Sequence, residues 1–444
     1  MKIMKFGGTS VGSAERIKEV ARLISDCEEK IVVLSAMSGT TNQLLEISDY
    51  MRNGNLAGAG ETLNRLSQKY DAVIDSLFSI NDEHRLAASE AIGESLAHIA
   101  SAVQAPFTEL TEKTIVARGE LMSTALMLNY LHHIGISAEM LPALDYMVID
   151  EFEEPDLNLI TSNLQKKLSD TPKSPIYITQ GFICRNAKGE TDNLKRGGSD
   201  YTASLVGAAL KADEIQIWTD IDGMHNNDPR FVEGTTPVRQ LHFDEAAELA
   251  YFGAKILHPT CILPAKLANI PVKLLNTMEP QAEGTTIFNA IPDRSIKAVA
   301  AKDNITAIKI KSGRMLLAYG FLRRVFEIFE KYRTSIDMVV TSEVGVSVTI
   351  DNERNLPEIL SELKKIGTIT VDRDMVIICV VGDLEWSNRG FEAAVVNALK
   401  DVPVRMISYG GSNYNISLLV RKCDKTRALS LLSQYLFDQP NNNA

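Results

Sequence analysis

The chain has 444 residues, of which 45% are hydrophobic and 23% charged, and its formal net charge is −11. This composition can build substantial cores and excludes general disorder. The acidic balance argues against a nucleic-acid-binding protein, which would need a basic face. The length predicts about three domains of roughly 150 residues each.

The cysteines and the chain start indicate the compartment. The five cysteines are scattered without a C-x-x-C pair, which favours reduced core thiols over a disulfide framework or a zinc site. The sequence runs from Met1 directly into a strand without a signal-peptide pattern, and no run of about 18 apolar residues occurs. We therefore expect a cytoplasmic protein.

Residues 1 to about 290 alternate strand-like and helix-like segments, which is typical of a mostly parallel sheet covered by helices. From Leu56 to about Ile134 the pattern is almost wholly helical and predicts a lid or one wall of a cleft. The predicted strands are short, apolar and rich in β-branched residues: Ile3–Phe6, Ile31–Ser35, Ala138–Leu141, Ile176–Gln180, Ile215–Thr219 and Val272–Leu275.

Lys5-Phe6-Gly7-Gly8-Thr9-Ser10 joins the first strand to an amphipathic helix. Paired glycines let backbone N–H groups turn toward an anion, a helix N-terminus favours negative charge, and the lysine adds a cation. Two glycines alone also fit an ordinary strand-to-helix turn. The segment matches neither the G-x-x-x-x-G-K-[ST] phosphate loop nor the G-x-G-x-x-G dinucleotide fingerprint.

Two further segments contain binding groups. The stretch Ser35–Asn42 follows the second strand, at the edge where open α/β sheets bind ligands, although a capped polar loop explains it equally well. Arg118 and Glu120 flank a glycine at a helix start. They can bind the two charges of an amino acid, or they can form a capped helix with a surface ion pair.

The fourth segment, Arg196-Gly197-Gly198-Ser199-Asp200, opens a helix over Tyr201–Leu210 and suits a carboxylate or a phosphate. The fifth runs from Thr219-Asp220-Ile221-Asp222-Gly223 to Asp228-Pro229-Arg230 after a strand. Its acceptors can bind a ribose or base, or an Mg²⁺ shell through water, although its Asp-Gly and Asp-Pro steps also mark ordinary turns.

Two residues further along the chain have a functional and a structural interpretation. Lys255 offers another cation to a phosphate or is a solvated helix lysine, and we expect His258 to be structural because nothing near it forms a metal-ligand cluster. Taken with the five segments, glycine-containing anion loops, cations and carboxylates without a nucleophilic Cys/His set predict phosphoryl transfer.

The sequence beyond Pro292 contains an internal duplication at an offset of 70 residues. Gly320-Phe321 maps to Gly390-Phe391, and the strand Ile305–Lys311 maps to Met375–Val381. The strand-helix-strand order repeats with it, which predicts two ferredoxin-like units of about 70 residues each.

Together the five segments and the duplicated tail resemble the aspartate kinase family, within the amino-acid-kinase fold, along nearly the whole chain. The resemblance implies an α/β three-layer sandwich with a mostly parallel sheet at residues 1–292, and two βαββαβ ACT-type domains at 305–374 and 375–439. It implies ATP-dependent phosphorylation of the L-aspartate side-chain carboxylate to 4-phospho-L-aspartate. That step opens the pathway to lysine, threonine, methionine and diaminopimelate.

The resemblance also implies residue roles. Lys5 is similar to the family's transition-state lysine, and Asp200 to the residue that organises it. Glu120 is expected to hold the substrate ammonium and Arg196 its α-carboxylate, while Mg²⁺ arrives with the nucleotide and no dedicated metal site is expected. Hydroxyl contacts to the substrate are expected from Thr41 and Ser199, and nucleotide binding from Lys5, Gly7, Gly8, Thr9, Thr219, Asp220, His225, Arg230 and Lys255.

Two positions depart from the family pattern. Many relatives have glycine where this chain has Lys195, and many have tyrosine against the nucleotide where this chain has His225.

The tail resembles the effector site of lysine-inhibited members. Asp337 is expected to take a ligand ammonium, and the helix start near Gly320 its carboxylate. Leu317 and Ala318 stand where lysine-sensing relatives can carry polar residues, so threonine is the alternative effector. The expected effector residues are Met315, Phe321, Leu322, Ser335, Asp337, Thr341 and Ser342.

Such modules usually pair between chains, so we expect a homodimer or a dimer of dimers; purely structural dimerisation is the alternative role of the tail. Same-fold kinases for glutamate, acetylglutamate or a nucleoside monophosphate, and a non-catalytic amino-acid sensor, remain alternatives. Lys5 and Asp200 argue against the sensor. We expect no fused homoserine dehydrogenase.

Overall fold

The computed structural model describes residues 1–26, 28–194, 197–253, 258–289, 295–312 and 319–437. The chain forms two compact units, one of Met1–Met224 and Ile256–Asn289, the other of His225–Lys255 and Ala290–Ala444. Within the described ranges, no helix is both long and apolar enough to cross a membrane. The predicted domain boundaries at 292, 305, 374, 375 and 439 stay predictions.

The first unit is built on a mostly parallel sheet, as predicted. Its strand order is β3-β4-β2-β1-β7-β9-β10, in which β10 alone runs antiparallel to its neighbour β9. All six predicted strands are present to within one residue at either end. The first ten strands of the chain are β1 Lys2–Phe6, β2 Lys30–Leu34, β3 Ala138–Met140, β4 Ile176–Gln180, β5 Ile183–Arg185, β6 Thr191–Asn193, β7 Glu214–Thr219, β8 Gln240–His242 (in the second unit), β9 Val272–Asn276 and β10 Thr285–Phe288.

Helices cover the sheet, and α1 does so with one apolar face. In α1 the spacing of Ile17, Val20, Ala21 and Ile24 places all four on the buried side. The predicted helical stretch forms α3 to α6. The first ten helices are α1 Ala14–Ile24, α2 Thr40–Arg52, α3 Leu56–Leu77, α4 Glu83–Val103, α5 Glu109–Val116, α6 Arg118–His133, α7 Leu157–Asp170, α8 Gly198–Leu210, α9 Phe243–Tyr251 (in the second unit) and α10 Pro259–Leu267.

The second unit contains a six-stranded sheet in the order β12-β13-β11-β14-β16-β15. From β11 to β14 its elements follow the predicted β-α-β-β-α-β order, and from β14 to α14 they follow it as far as the second helix. They are β11 Ile296–Lys311, α11 Phe321–Lys331, β12 Val339–Ser342, β13 Gly345–Ile350, α12 Leu356–Leu363, β14 Thr368–Gly382, α13 Phe391–Ala398, β15 Met406–Tyr409, β16 Asn415–Arg421 and α14 Lys425–Leu436.

The duplication is visible in the backbone. Gly320 and Gly390 precede equivalent helices and both have left-handed conformations, with φ of 78° and 95°. Asn304 and Asp374, also 70 residues apart in sequence, interrupt β11 and β14 with φ of 60° and 53°.

The strands β11 and β14 are longer than predicted. The predicted strand Ile305–Lys311 is the second half of β11, which begins at Ile296. The first half of β11 pairs with the second half of β14, from Ile377 to Gly382. Each half of β11 therefore serves a different module, which an alignment of the repeats cannot reveal because the first half lies outside the aligned pair.

Candidate active site

A cavity of about 480 Å³ opens at the carboxyl ends of β1, β2 and β4 in the first unit. This is the edge at which parallel α/β sheets bind ligands. It is lined mainly by residues of the four segments that the sequence singled out before Thr219. The predicted residues that line it are Lys5, Gly8, Thr9, Thr41, Glu120, Ser199 and Asp200.

Lys5 and Asp200 form an ion pair in this cavity. Lys5 lies on β1 and Asp200 in the first turn of α8, and the Lys5 Nζ to Asp200 Oδ1 distance is 2.6 Å. Both side chains are nearly buried, at 11% and 12% exposure. Asp200 Oδ1 accepts no well-aligned hydrogen bond from the described residues, so the contact is mainly electrostatic. The pair holds the ammonium of Lys5 at the cavity.

Gly8 is required by a close backbone approach. A Cβ at Gly8 would lie 2.8 Å from the Ala36 carbonyl oxygen, and the Ser38 N–H donates to the Gly8 carbonyl at 3.0 Å. Gly7 has room for a Cβ, which would lie 3.5 Å from Lys5 Nζ. Neither glycine has a positive φ. The ordinary turn that the sequence left open is present, since the Ser10 N–H donates to the Gly7 carbonyl at 3.0 Å, and at Gly8 the need for glycine comes from contact between two loops.

Gly8→Ala is expected to lower kcat/KM for both substrates by about tenfold or more, because the added methyl displaces the Ala36 loop from the cavity. Steady-state kinetics measures this loss. Gly60→Ala is the matched control, since nothing lies within 4 Å of its Cβ on α3. That control should keep full activity and gain up to about 1 kcal/mol of stability. Unchanged kinetics in Gly8→Ala would show that the two loops adjust without consequence.

The N-terminus of α8 faces the same cavity. Gly197 caps it with φ of 73°, and within the described residues no side chain caps the helix. A Cβ at Gly197 would lie 2.7 Å from His258 Cβ and 2.8 Å from Cys261 Sγ, so the chain has room only for glycine. Uncapped amides at a helix N-terminus favour an anion. Arg196, which precedes this turn, lies outside the described residues.

Glu120 is a buried carboxyl group on the wall formed by α6. It is 4% exposed, and its Oε1 accepts a hydrogen bond from the Ala36 N–H at 3.2 Å. Its Oε2 accepts none from the described residues. Burial raises the pKa of Glu120 to about 8. A cation brought into the cavity would relieve the cost of ionising this group.

Lys69 is a cation beside the cavity that sequence reasoning missed. From α3 its Nζ donates to the Ser38 carbonyl at 2.6 Å and lies 3.1 Å from Thr40 Oγ1. Burial lowers the pKa of Lys69. In the sequence it reads as one more lysine of an amphipathic helix, and no local motif marks it.

The predicted nucleotide residues after β7 lie outside the lining of this cavity. Thr219 is the last residue of β7, the neighbour of β1, and Asp220 follows it; the Thr219 hydroxyl donates to Asp220 Oδ1 at 3.1 Å. The Thr277 N–H donates a hydrogen bond to the Thr219 carbonyl at 2.8 Å. Both residues remain at the ligand-binding edge of the sheet.

The remaining predicted nucleotide residues fall in the second unit or outside the described ranges. His225 Nδ1 lies 3.0 Å from Thr235 Oγ1. Arg230 holds Asp228 with two nitrogens, at 2.9 Å for Nε to Oδ1 and 2.6 Å for Nη2 to Oδ2. Lys255 lies outside the described residues. Among the residues described, no cluster of three His, Cys, Asp or Glu side chains could hold a metal.

The predicted effector residues surround the start of α11 and the strand β12. Phe321 is buried, Leu322 is 39% exposed, and Ser335, Thr341 and Ser342 are exposed. The side chain of Asp337 is buried. Met315 lies outside the described residues.

A second cavity, of about 820 Å³, lies in the second unit and contains none of the predicted residues. Arg405 and Asp372 in its lining pair with each other at 2.8 Å. Its size and its charged lining alone do not make it the site of chemistry, because the nearly buried Lys5–Asp200 pair and the buried Glu120 carboxyl lie in the smaller cavity.

Residues 1–276 match the amino acid kinase family and residues 378–436 match the ACT domain. Aspartokinase 1, chloroplastic, of Arabidopsis thaliana is 36% identical over 98% of this chain and 80% of its own length. Lysine-sensitive aspartokinase 3 of Escherichia coli K12 is 32% identical, covering 98% of this chain and 99% of the relative. The crystal structure of E. coli aspartokinase III in complex with aspartate and ADP superposes with a TM-score of 0.86 at 32% identity, over 98% of this chain and all of that one. The chain belongs to the aspartokinase family.

Proposed function

We propose that this chain transfers the γ-phosphoryl group of ATP to the side-chain carboxylate of L-aspartate, giving 4-phospho-L-aspartate. The observation that carries the proposal is one cavity that holds both the Lys5–Asp200 ion pair and the buried carboxyl of Glu120. The first group suits a phosphoryl and the second suits an amino acid's ammonium. The E. coli relative was crystallised with aspartate and ADP.

The substrate amino acid would be held by its charges. Glu120 Oε2 has no partner among the described residues and would accept the substrate ammonium. Thr41 and Ser199 line the same cavity and would donate hydroxyl hydrogen bonds. Arg196 would pair with the α-carboxylate. The charges of Glu120 and Arg196 would orient the side-chain carboxylate of the substrate. Such positioning is the main contribution that a protein makes to this kind of reaction.

Lys5 would neutralise charge on the phosphoryl group as it moves. The acceptor is already a carboxylate, so the reaction needs no general base to remove a proton. Asp200 then acts by positioning the Lys5 ammonium, from which it is 2.6 Å away. The uncapped N-terminus of α8 adds partial positive charge at the same place.

The nucleotide would lie along Gly7, Gly8 and Thr9 and reach the residues predicted after β7. Thr219, Asp220, His225, Arg230 and Lys255 stay proposals for its ribose, base and phosphates. Mg²⁺ would enter with the nucleotide and neutralise phosphate charge.

Regulation and assembly complete the proposal. An end-product amino acid, lysine in the first instance, would bind at Asp337 and favour a less active state. The E. coli relative is described as lysine-sensitive. We further propose a homodimer or dimer of dimers formed through the ACT domains, and a cytoplasmic location.

The proposal is tested by measuring ADP release from ATP with L-aspartate, L-glutamate, N-acetyl-L-glutamate and a nucleoside monophosphate. Of these four acceptors, we expect only L-aspartate to support ADP release. We also expect hydroxylamine to trap the acyl phosphate product. ADP release that depends on another acceptor, or on none, would overturn the assignment. Repeating the assay with L-lysine and with L-threonine identifies the effector.

A further inference from the structure

The side chain of Asp337 in the second unit is buried and incompletely paired. It is 1% exposed, its Oδ1 accepts all of its hydrogen bonds, and its Oδ2 accepts none from the described residues. Burial raises the pKa of Asp337, and Lys302 lowers it only in part. A carboxylate in this position is costly without a cation nearby.

An internal ammonium already supplies that cation. Lys302 Nζ, from β11, lies 2.6 Å from Asp337 Oδ1 and 3.0 Å from Asp351 Oδ2. The burial of Lys302 opposes its charge, but the hydrogen bonds and charges of the two aspartates outweigh burial and raise the pKa of Lys302. The Lys302 ammonium thus already pairs with Asp337. An amino-acid effector would bring the same chemical group, a primary ammonium, to this carboxylate.

The backbone explains why Lys302 reaches this point. The pairing of β11 with β14 shifts register between Lys302 and Ile305, and Asn304 there has φ of 60°. Such a bulge redirects the side chains next to it. Lys302 therefore stands at the junction of the two halves of β11, where a small change of the bulge would move its ammonium.

Tyr251 ties the same group to the end of α9. Its hydroxyl donates to Asp337 Oδ1 at 2.9 Å, and Lys302 Nζ lies 4.5 Å from the centre of its ring. Two residues later, Gly253 with φ of 124° approaches β11 so closely that a Cβ would lie 2.3 Å from the Ala301 carbonyl oxygen. The end of α9 is therefore fastened to β11 next to Lys302.

We propose that the Lys302 ammonium is a built-in competitor of the effector. The ammonium of an effector replaces the Lys302 ammonium at Asp337. Tyr251, at the end of α9, senses this exchange; it lies four residues before Lys255 in the sequence. The inference rests on the proposed effector site at Asp337. It adds the residue that the effector must displace and the residue that reports the displacement.

The test is calorimetric titration of the full chain with L-lysine, and with L-threonine as a second probe, at pH 8. Lys302→Met removes the competitor, so we expect the dissociation constant of the effector to fall by roughly tenfold. Lys302→Arg retains a cation and should stay near the wild-type value. Lys311→Met is the matched control, because Lys311 is an exposed lysine at the end of the same strand.

A purely structural ion pair predicts the opposite result. If Lys302 only stabilises the fold, Lys302→Met lowers the melting temperature and leaves effector binding unchanged or weaker, which overturns the inference. The double variant Lys302→Met/Asp337→Asn keeps the result interpretable if the single variant folds poorly. It removes both charges and should lose effector binding, whereas binding that is unchanged from the wild type overturns the exchange at Asp337.

Tyr251→Phe tests the second half of the inference. We expect effector binding within about threefold of wild type but a smaller maximal inhibition of ADP release, because the hydroxyl that senses Asp337 is gone. Full inhibition in this variant overturns the role of Tyr251. The binding assays need no turnover. A wild-type chain that binds neither amino acid shows that the proposed effector site is wrong, whereas wild-type binding that Lys302→Met does not tighten shows that only the exchange is wrong.

Discussion

Lys5→Ala is expected to lower kcat by about a thousandfold or more, since it removes the cation that would follow the charge of the transferred phosphoryl group. The ammonium of Lys5 is held at the cavity by Asp200 at 2.6 Å, whereas the Lys69 ammonium beside the cavity donates to the Ser38 carbonyl. The KM for L-aspartate should change much less than kcat, because the ground-state amino acid is held by other groups. Steady-state ADP release and single-turnover measurements separate the two effects.

The control for this variant is Lys2→Ala on the same strand. Lys2 pairs with Glu28 near the surface and should be replaceable without loss of kcat. Removing Lys5 also leaves Asp200 nearly buried without its cation, so Lys5→Ala/Asp200→Asn should recover stability without recovering turnover. Retained turnover in a folded Lys5→Ala chain would refute the proposed role.

Glu120→Gln is expected to raise the KM for L-aspartate by about 10- to 100-fold, because the substrate ammonium loses a buried anionic partner. The wild-type KM should fall as the pH rises from 6 toward 8. Below pH 8 the Glu120 carboxyl in the free site holds a proton, which the substrate ammonium must displace, and above its pKa of about 8 no proton is displaced. In the glutamine variant this pH dependence should be flat.

Glu109→Gln, at an exposed glutamate at the start of α5, is the control and should leave the KM and its pH profile unchanged. A Glu120→Gln profile that still falls toward pH 8 would show that another group titrates with substrate binding.

The raised pKa of Glu120 also makes the stability of the folded chain depend on pH. The folded chain keeps the Glu120 proton up to about pH 8, whereas the unfolded chain releases it near the ordinary value of 4.5. The contribution of Glu120 to the free energy of unfolding therefore decreases as the pH rises through this window, and this contribution should be absent in Glu120→Gln. Denaturant unfolding at pH 5 and pH 8.5 measures the difference between the two proteins.

Local sequence patterns were sufficient to predict elements and site residues where a short segment has a uniform composition. The strands of the first sheet could be placed because short, apolar, β-branched runs such as Ile31–Leu34 are typical of doubly covered strands. The clustering of Lys5, Thr41, Ser199 and Asp200 could be anticipated because parallel strands end at one edge. The repeat at an offset of 70 also carried its backbone with it, as Gly320 and Gly390 show.

Contacts between residues far apart in sequence could not be predicted from local sequence patterns. Lys69 lies in a regular amphipathic helix, and only the packing of α3 brings its ammonium to Ser38. Gly8 is needed because of the Ala36 carbonyl, and Lys302 matters because Asp337 and Tyr251 reach it from other elements.

The sequence alone therefore determined the fold class, the order of the elements and the groups that meet at the first sheet's edge. These follow from hydrophobic periodicity and from turn and helix-start chemistry, each of which acts over a few neighbouring residues. The tertiary structure decided which charges are paired, buried or left without a partner, as at Glu120 Oε2 and Asp337 Oδ2. Those properties depend on the local dielectric environment and on distances across the fold, which no stretch of sequence contains.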